Sequence, residues 1–307
     1  MEKSVFVSGG SGFAGQAVID ELLRRQYTVR AIFHRRALPQ GDGLIAITGD
    51  LFNPAAMDEA MRGCVAAINL VGIIFEKPSQ GVTFQRIHVD GTRAFVDAAR
   101  RNGIGRIVQL SALGSRANAV SEYHKTKFAA EEIVRGSGIS WTIFRPSIIH
   151  GPRGDFMRQV AGWAHRRAAP WIFMPYFGGG LFGTKGAGKL QPVFVGDVAR
   201  AIVDAIDNPK TIGQTYAMGG PDIYSWPQML HLCARAITGR DRLVCAIPVW
   251  YAKLLPHLVP ASLLPFNRDQ ISMVSEDSTA DMTPFERDFG WTPRTMSGSL
   301  DDYAASL

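Results

Sequence analysis

Tyr123 and Lys127 stand four residues apart in the run SEYHKTKFAAEE, and on a helix that spacing sets both on one face. An ammonium near a phenol favours the phenolate. Such a pair can hand a proton to a carbonyl or hydroxyl oxygen, or take one from it. The same spacing is common on surface helices, so its meaning depends on what else the chain positions. Near the start, residues 4–22 read SVFVSGGSGFAGQAVIDEL, with Gly9, Gly12 and Gly15 in a G-x-x-G-x-x-G spacing and Ser11, Phe13 and Ala14 between them. Gly9 permits a tight turn off a strand. Gly12 lets the backbone approach a phosphate with no Cβ in the way, and Gly15 lets the following helix lie close to the strand. The free N–H groups and positive dipole end of that helix then face an anion. A plain glycine-rich turn is the bland alternative, and the readable strand before and helix after argue against it.

The elements that must hold these residues follow from hydrophobic patterning. Strand-like runs cover 4–8, 28–33, 44–48, 66–71, 106–110 and 140–145, and helical patterns cover 14–26, 54–62, 82–102 and 121–135. Gly63, Gly103, Gly105, Gly136 and Gly138 punctuate their ends. Strand and helix alternate, which predicts an α/β fold of Rossmann type: a doubly wound parallel sheet over residues 1–150. Right-handed crossovers collect the strands' carboxyl ends on one edge, where ligands of such folds bind. Beyond 150 the pattern loosens. A short strand at 193–195, a helix at 197–207 and a strand at 214–218 return residues 191–218 to the sheet. Helical patterns at 226–238, 250–255, 268–275 and 297–305 predict a smaller, mostly helical lobe over 151–307, interleaved with the sheet domain.

Further positions fit a dinucleotide on that edge. The second strand ends VRAIFHRR, placing His34, Arg35 and Arg36 where an NAD-preferring protein usually carries an acid for the ribose 2′-hydroxyl. Two guanidinium groups suit a 2′-phosphate, which favours NADP(H) over NAD(H); a solvated basic loop is the alternative. Asp50 and Leu51 follow the third strand, where a carboxylate can accept the adenine amino group. Val71 and Gly72 close the fourth strand, where glycine allows close backbone approach. With this loop and these strands in place, Tyr123 and Lys127 become candidate proton-transfer residues beside a nicotinamide.

Together these residues resemble the short-chain dehydrogenase/reductase superfamily, in its extended or atypical branch. HVDGTRAFVDAA (88–99), FRPSIIHGPRGDF (144–156), QPVFVGDVARAIVDAI (191–206) and YAMGGP (216–221) are similar to a narrower group within it. That group is the nucleotide-binding accessory subunit of respiratory complex I, alpha-subcomplex subunit nine, with its bacterial relatives. The resemblance spans about residues 4–305. It implies a bound NADPH contacted by the Gly9–Gly15 loop, the Arg35 region, Asp50, Gly72, Lys127 and Pro146, and it implies that binding is structural. One departure concerns catalysis. The family's enzymes place a Ser or Thr after the fifth strand, well upstream of the Tyr. Here Ser111 follows that strand only 12 residues before Tyr123, with Ala112 next to it. Ser111 serves as the catalytic hydroxyl, or it is a strand-end serine bonded to backbone.

Composition narrows the partners. The 307 residues are 46% hydrophobic and 20% charged with a net charge of +6, and mean hydropathy is +0.02. The basic excess lies in pairs (Arg24-Arg25, Arg35-Arg36, Arg100-Arg101, Arg166-Arg167) with no long tract, which argues against nucleic acid and leaves room for anionic ligands or an acidic membrane surface. Cys64, Cys233 and Cys245 are odd in number and far apart, which favours a reduced compartment. The histidines show no metal-ligand spacing. No signal peptide precedes the glycine loop, and the longest uncharged apolar run, 254–267, is too short to span a bilayer and holds three prolines. A cytoplasmic protein, peripheral on the inner membrane face, is expected. The segment GTKGAGK at 183–189 mimics a P-loop, but Leu190 stands where Ser or Thr must meet Mg²⁺. Residues 248–266, aromatic and apolar, cover a substrate cleft or form a docking face for a membrane-embedded partner or quinone-like substrate, with 162–167 adding a basic edge. Three functions remain open: an accessory protein of complex I or another membrane-associated complex with NADP(H) as a structural element; an NADPH-dependent oxidoreductase on a hydrophobic carbonyl or quinone; and an NAD-dependent epimerase/dehydratase, which the missing acid after the second strand disfavours.

Overall fold

In a computed structural model, residues 3–33, 41–181, 183, 188–258 and 277–307 are described. They divide into two compact units: residues up to Pro146 with Val195–Met218 and Met282–Trp291, and Ser147–Phe194 with Gly219–Asp281 and Thr292–Leu307. The first unit is built on β1 (Ser4–Ser8), α1 (Phe13–Arg24), β2 (Thr28–Phe33), β3 (Leu44–Thr48), α2 (Pro54–Met61) and β4 (Ala66–Asn69). It continues through α3 (Gly91–Arg101), β5 (Arg106–Leu110), α4 (Glu122–Arg135) and β6 (Ser140–Pro146). The second unit carries β7 (Ile149–His150), α5 (Asp155–Ala164), β8 (Met174–Gly178) and β9 (Val193–Phe194). The chain then adds α6 (Val195–Asp207) and β10 (Gln214–Met218) to the first unit, and α7 (Trp226–Thr238), β11 (Val244–Pro248) and α8 (Val249–Leu258) to the second. Finally α9 (Thr283–Phe289) belongs to the first unit and α10 (Met296–Asp301) to the second.

Seven strands form one sheet in the order β10-β6-β5-β4-β1-β2-β3, and every pairing is parallel. Parallel strands covered on both faces need near-continuous apolar runs, and β1 (SVFVS) and β5 (RIVQL) supply them, nearly every residue buried. The chain runs outward through β2 and β3, then crosses back to β4 on the other side of β1. The strand order therefore reverses between β1 and β4, and the loops leaving those two strands flank the crevice where ligands of such sheets sit. On one face, α1 presents Gly15, Val18, Ile19 and Leu22 as a buried stripe and packs along α6. On the other, Phe6, Met57, Met61, Phe95, Ile107, Val134 and Ile143 form a continuous core under α2, α3 and α4.

The fold class is as the sequence predicts, and the differences are local. β4 stops at Asn69, two residues short of the expected end, where the Asn69 side chain accepts the Val71 N–H and takes that backbone donor from the ladder. The helix expected over 82–102 is two pieces, a π-helical stretch Gln85–Asp90 running directly into α3. The second unit packs α5, α7 and α10 around Met157, Val160, Met229, Leu230, Cys233 and Leu300, with two two-stranded parallel sheets, β11-β8 and β7-β9. The helix expected at 268–275 and residues 259–266 of the apolar segment lie outside the described residues, as do 184–187 of the P-loop mimic. Leu190 there forms a bridge with Tyr224, and no helix begins between it and Val195. All three cysteines are free, no described helix is long and apolar enough to cross a membrane, and no metal-binding cluster occurs among the described residues.

Candidate functional site

The loop after β1 leaves no room for side chains. Gly9 adopts φ +73°, and a Cβ on it would lie 2.9 Å from the Leu70 carbonyl carbon and 3.0 Å from the Val71 nitrogen. A Cβ on Gly15 would sit 2.1 Å from the Gly9 carbonyl oxygen, and one on Gly12 would sit 3.2 Å from that same oxygen. The loops leaving β1 and β4 therefore touch backbone to backbone, which only glycine allows. Gly12 N–H donates to the Gly9 carbonyl at 3.0 Å and then stands as the N-cap of α1 with no capping side chain. The first-turn N–H groups, at Phe13, Ala14 and Gly15, have no intrahelical acceptor. Ser11 is exposed and its carbonyl accepts from the Gln16 side chain at 3.1 Å, which fixes the loop without filling it. A bare helix start behind a surface that any Cβ would obstruct fits a pyrophosphate.

Polar side chains pin this crevice from below. Ser8 Oγ donates to Asn69 Oδ1 at 2.7 Å, and the Val71 N–H donates to the same oxygen at 3.3 Å. Asn69 Nδ2 donates to Gln109 Oε1 at 2.9 Å and to Thr92 Oγ1 at 3.2 Å. The carboxyl ends of β1, β4 and β5 are thus tied by a buried, fully paired network, which rigidifies the floor of the site. Asp50 Oδ1 accepts from the Phe52 N–H at 3.0 Å, so one carboxylate oxygen shapes the turn; Leu51 packs on the core and meets Gly91. His34, Arg35 and Arg36 lie outside the described residues.

The proton-transfer candidates occupy the other end of this edge. Ser121 caps α4 through the His124 N–H, and α4 carries both Tyr123 and Lys127. Lys127 is buried, and its Nζ donates to the Leu110 carbonyl at 2.9 Å. A Cβ on Gly72 would stand 3.2 Å from that Nζ and 3.7 Å from His88 Nε2, so Gly72, Lys127 and His88 converge. Burial pulls Lys127 down to about 8, with Glu131 partly opposing it. Tyr123 is half-buried in a ring cluster, edge-on to Phe84 at 5.8 Å and to His88 at 5.5 Å. Burial pushes its phenol up to about 12, not down as an adjacent ammonium would drive it, so at neutral pH Tyr123 holds its proton. Its hydroxyl has no hydrogen-bond partner among the described residues.

Two residues that the sequence did not single out govern this end. His88 Nε2 accepts the Ile73 N–H at 3.1 Å, so its proton must sit on Nδ1, which faces Thr126 Oγ1 at 2.9 Å; Thr126 in turn donates to the Glu122 carbonyl. Burial and the Lys127 charge hold His88 down at about 3, so it is a neutral clamp on the Gly72–Ile73 turn. Glu131 has a fully buried carboxylate, which receives the Ser111 hydroxyl at 2.5 Å and Arg145 at 2.8 and 2.5 Å. Arg135 adds a bond at 2.9 Å. Ser111 is therefore bound to a carboxylate, neither free nor merely capping backbone, though its N–H does donate to Phe144. Pro146 is buried at the end of β6, its carbonyl taking the Leu113 N–H at 2.9 Å. A buried acid next to a strand end signals such a network. In the run AAEEIVR, however, Glu131 is indistinguishable from its exposed neighbour Glu132.

A match to the NAD dependent epimerase/dehydratase family spans residues 5–219. The chain belongs to that family. As a family member it is 27% identical to NADH dehydrogenase [ubiquinone] 1 alpha subcomplex subunit 9, mitochondrial, of Arabidopsis thaliana, over 95% of this chain and 75% of that one. It spans only 57% of the mouse and rat forms of the subunit. A ceramide reductase of Caulobacter vibrioides is 32% identical over 49% of this chain and 47% of its own length. Among solved structures, MoeE5 in complex with UDP-glucose and NAD superposes with a TM-score of 0.74 at 21% identity, covering 98% of this chain and 97% of that one, a likeness of fold. The family member is thus an epimerase/dehydratase-type protein, of the atypical short-chain dehydrogenase/reductase kind, similar to the complex I subunit.

Proposed function

We propose that this family member holds NADP(H) as a structural element of a complex I-like or other membrane-associated assembly, on the cytoplasmic side of the inner membrane. In this reading residues 1–150 bind the dinucleotide and 151–307 form the partner or substrate lobe, with 191–218 returning to the sheet. Gly9, Ser11, Gly12, Phe13, Ala14 and Gly15 take the pyrophosphate, and His34, Arg35 and Arg36 take the 2′-phosphate. Asp50 and Leu51 take the adenine, and Val71, Gly72, Lys127 and Pro146 the nicotinamide half. The observation that carries it is the Ser111 hydroxyl donating to Glu131 at 2.5 Å. A serine bonded to a buried carboxylate, itself held by Arg145 and Arg135, is not available to a substrate oxygen, whereas the glycine cradle needs only backbone. Similarity to the plant subunit over 95% of the chain supports the assembly role.

A second reading is an NADPH-dependent oxidoreductase on a hydrophobic carbonyl or quinone, using Tyr123 and Lys127 at the reacting oxygen. It is favoured by Tyr123, whose protonated phenol is without a hydrogen-bond partner among the described residues and sits among the Phe84 and His88 rings. The bound dinucleotide would supply the hydride; Tyr123 would donate the proton, and Lys127 would hold the Leu110 turn and counter developing negative charge. Partial similarity to the ceramide reductase supports an apolar substrate.

Native mass spectrometry and calorimetry test the first reading. The purified chain is expected to retain or bind NADPH in preference to NADH. Arg35→Ala with Arg36→Ala should weaken NADPH by about 10- to 100-fold, the worth of lost charge-assisted hydrogen bonds, and leave NADH little changed. Equal weakening of both, or no binding of either, rejects it. NADPH consumption with a long-chain ketone or quinone that Tyr123→Phe abolishes selects the oxidoreductase.

A further inference from the structure

Within the second unit, the loop after α5 and the turn after α7 form one face. Arg242 Nε donates to the Ala164 carbonyl at 2.6 Å and the Met174 N–H donates to the Leu243 carbonyl at 2.8 Å, which ties the two segments together. This face exposes Trp171 (62%), Ile172 (73%) and Leu243 (62%), large apolar side chains that a water-facing loop has no reason to hold together. Arg166, Arg167 and Arg240 are exposed in the same two segments, and among the described residues none of the three is paired with an acid. The one acid in the turn, Asp241, is already held by Arg235 at 2.6 and 3.0 Å. Arg166 also adopts φ +58° at the end of α5, a left-handed position that glycine usually fills.

We infer that this face seats on an anionic lipid surface, with Trp171, Ile172 and Leu243 entering the headgroup boundary and Arg166, Arg167 and Arg240 pairing with lipid phosphates. The charge complementarity decides the occupant. Exposed tryptophan and aliphatic residues with arginines in the same two segments match an interface that is apolar below and anionic above, and the chain's net charge of +6 points the same way. The inference rests on the membrane-side placement proposed above and names what the chain touches there. It does not depend on the dinucleotide, so cofactor binding is measured alongside.

Co-sedimentation of the full chain with phosphatidylcholine vesicles, with and without phosphatidylglycerol, is the test. Binding is expected only with phosphatidylglycerol and should fade as salt is raised. Each arginine changed to Ala should weaken it about fivefold, a loss of about 1 kcal/mol per basic side chain. Trp171→Ala with Ile172→Ala should weaken it by a further about tenfold, with NADPH affinity unchanged. Trp250→Ala, whose indole bonds the Leu181 carbonyl at the far end of the β8-β11 pair, should bind as wild type. No binding to anionic vesicles, equal binding to neutral ones, or loss through Trp250→Ala and not Trp171→Ala overturns the inference. Capture by a complex I preparation freed of lipid, without vesicle binding, also overturns it while leaving the assembly role standing.

Discussion

The two ends of the crevice edge hold their parts by different means. At the glycine end, three positions without side chains set the geometry, and backbone atoms within 2.1–3.2 Å of each virtual Cβ fix it. At the Tyr123 end, side chains do the work, and those around the Tyr123 hydroxyl are committed to partners inside the protein: Ser111 to Glu131, Lys127 to Leu110, His88 to Ile73 and Thr126. A cradle made of backbone cannot be diverted without breaking the fold. A reactive site made of side chains can be turned to internal bonding while the cradle stays intact. A protein that keeps a dinucleotide and gives up turnover would look like this.

Gly15→Ala strikes the first end hardest. Its new methyl would lie 2.1 Å from the Gly9 carbonyl oxygen, so α1 and the loop must part. NADPH binding by calorimetry is expected to weaken more than about 100-fold, and overpacking should cost about 1–3 kcal/mol in urea unfolding. Gly12→Ala, where the closest approach is 3.2 Å, should do markedly less. Equal effects at the two positions would break the view that backbone proximity defines the cradle.

Glu131→Gln probes the other end. It leaves Arg145 and Arg135 facing a neutral amide, and both guanidinium groups are partly exposed. The loss should be about 2–3 kcal/mol of stability, below the range for fully buried pairs. NADPH affinity should stay within about threefold if the two ends are as separate as their bonding implies. A large fall in affinity with unchanged stability would mean that the network serves the ligand.

These contrasts also mark how far the residues speak for themselves. The glycine spacing, the β-branched runs of β1 and β2 and the periodicity of α4 each carry a local signal that needs no tertiary context, so the sheet and the cradle were legible. Glu131 and His88 were not, because burial and partners come from β6 and from the turn after β4, remote in sequence. In the second unit, β8 begins Met174-Pro175 and lacks a clear alternation, so the proline hid a short strand. The same holds for β11, which ends in Pro248. α5 and α9 are short, 10 and 7 residues, and carry too few turns for a clear periodicity.

His88→Gln sharpens the comparison through pH. The imidazole is held down at about 3 from an ordinary 6.5, so between those values the unfolded chain binds a proton that the folded one refuses. Its contribution is present above pH 6.5 and is lost as the pH falls towards 3. Gln reaches far enough to keep an acceptor for the Ile73 N–H and does not titrate. The acid side of the stability curve should flatten by up to about 1.4 kcal/mol per pH unit in that window, followed by urea midpoints across pH. An unchanged curve would mean that His88 is not the neutral clamp described.

The smallest effect decides the most. Tyr123 packs edge-on to Phe84, His88 and His124 through its ring, and none of those contacts uses the hydroxyl. Tyr123→Phe should therefore leave thermal stability and NADPH affinity unchanged to within about 0.5 kcal/mol. A cell depending on the protein as a structural element should not register the substitution, whereas one depending on proton donation from Tyr123 loses the activity altogether. Complementation of a deletion by Tyr123→Phe thus separates the two ends of the edge. Rescue leaves only the cradle in use, and failure with NADPH still bound returns the phenol to chemistry.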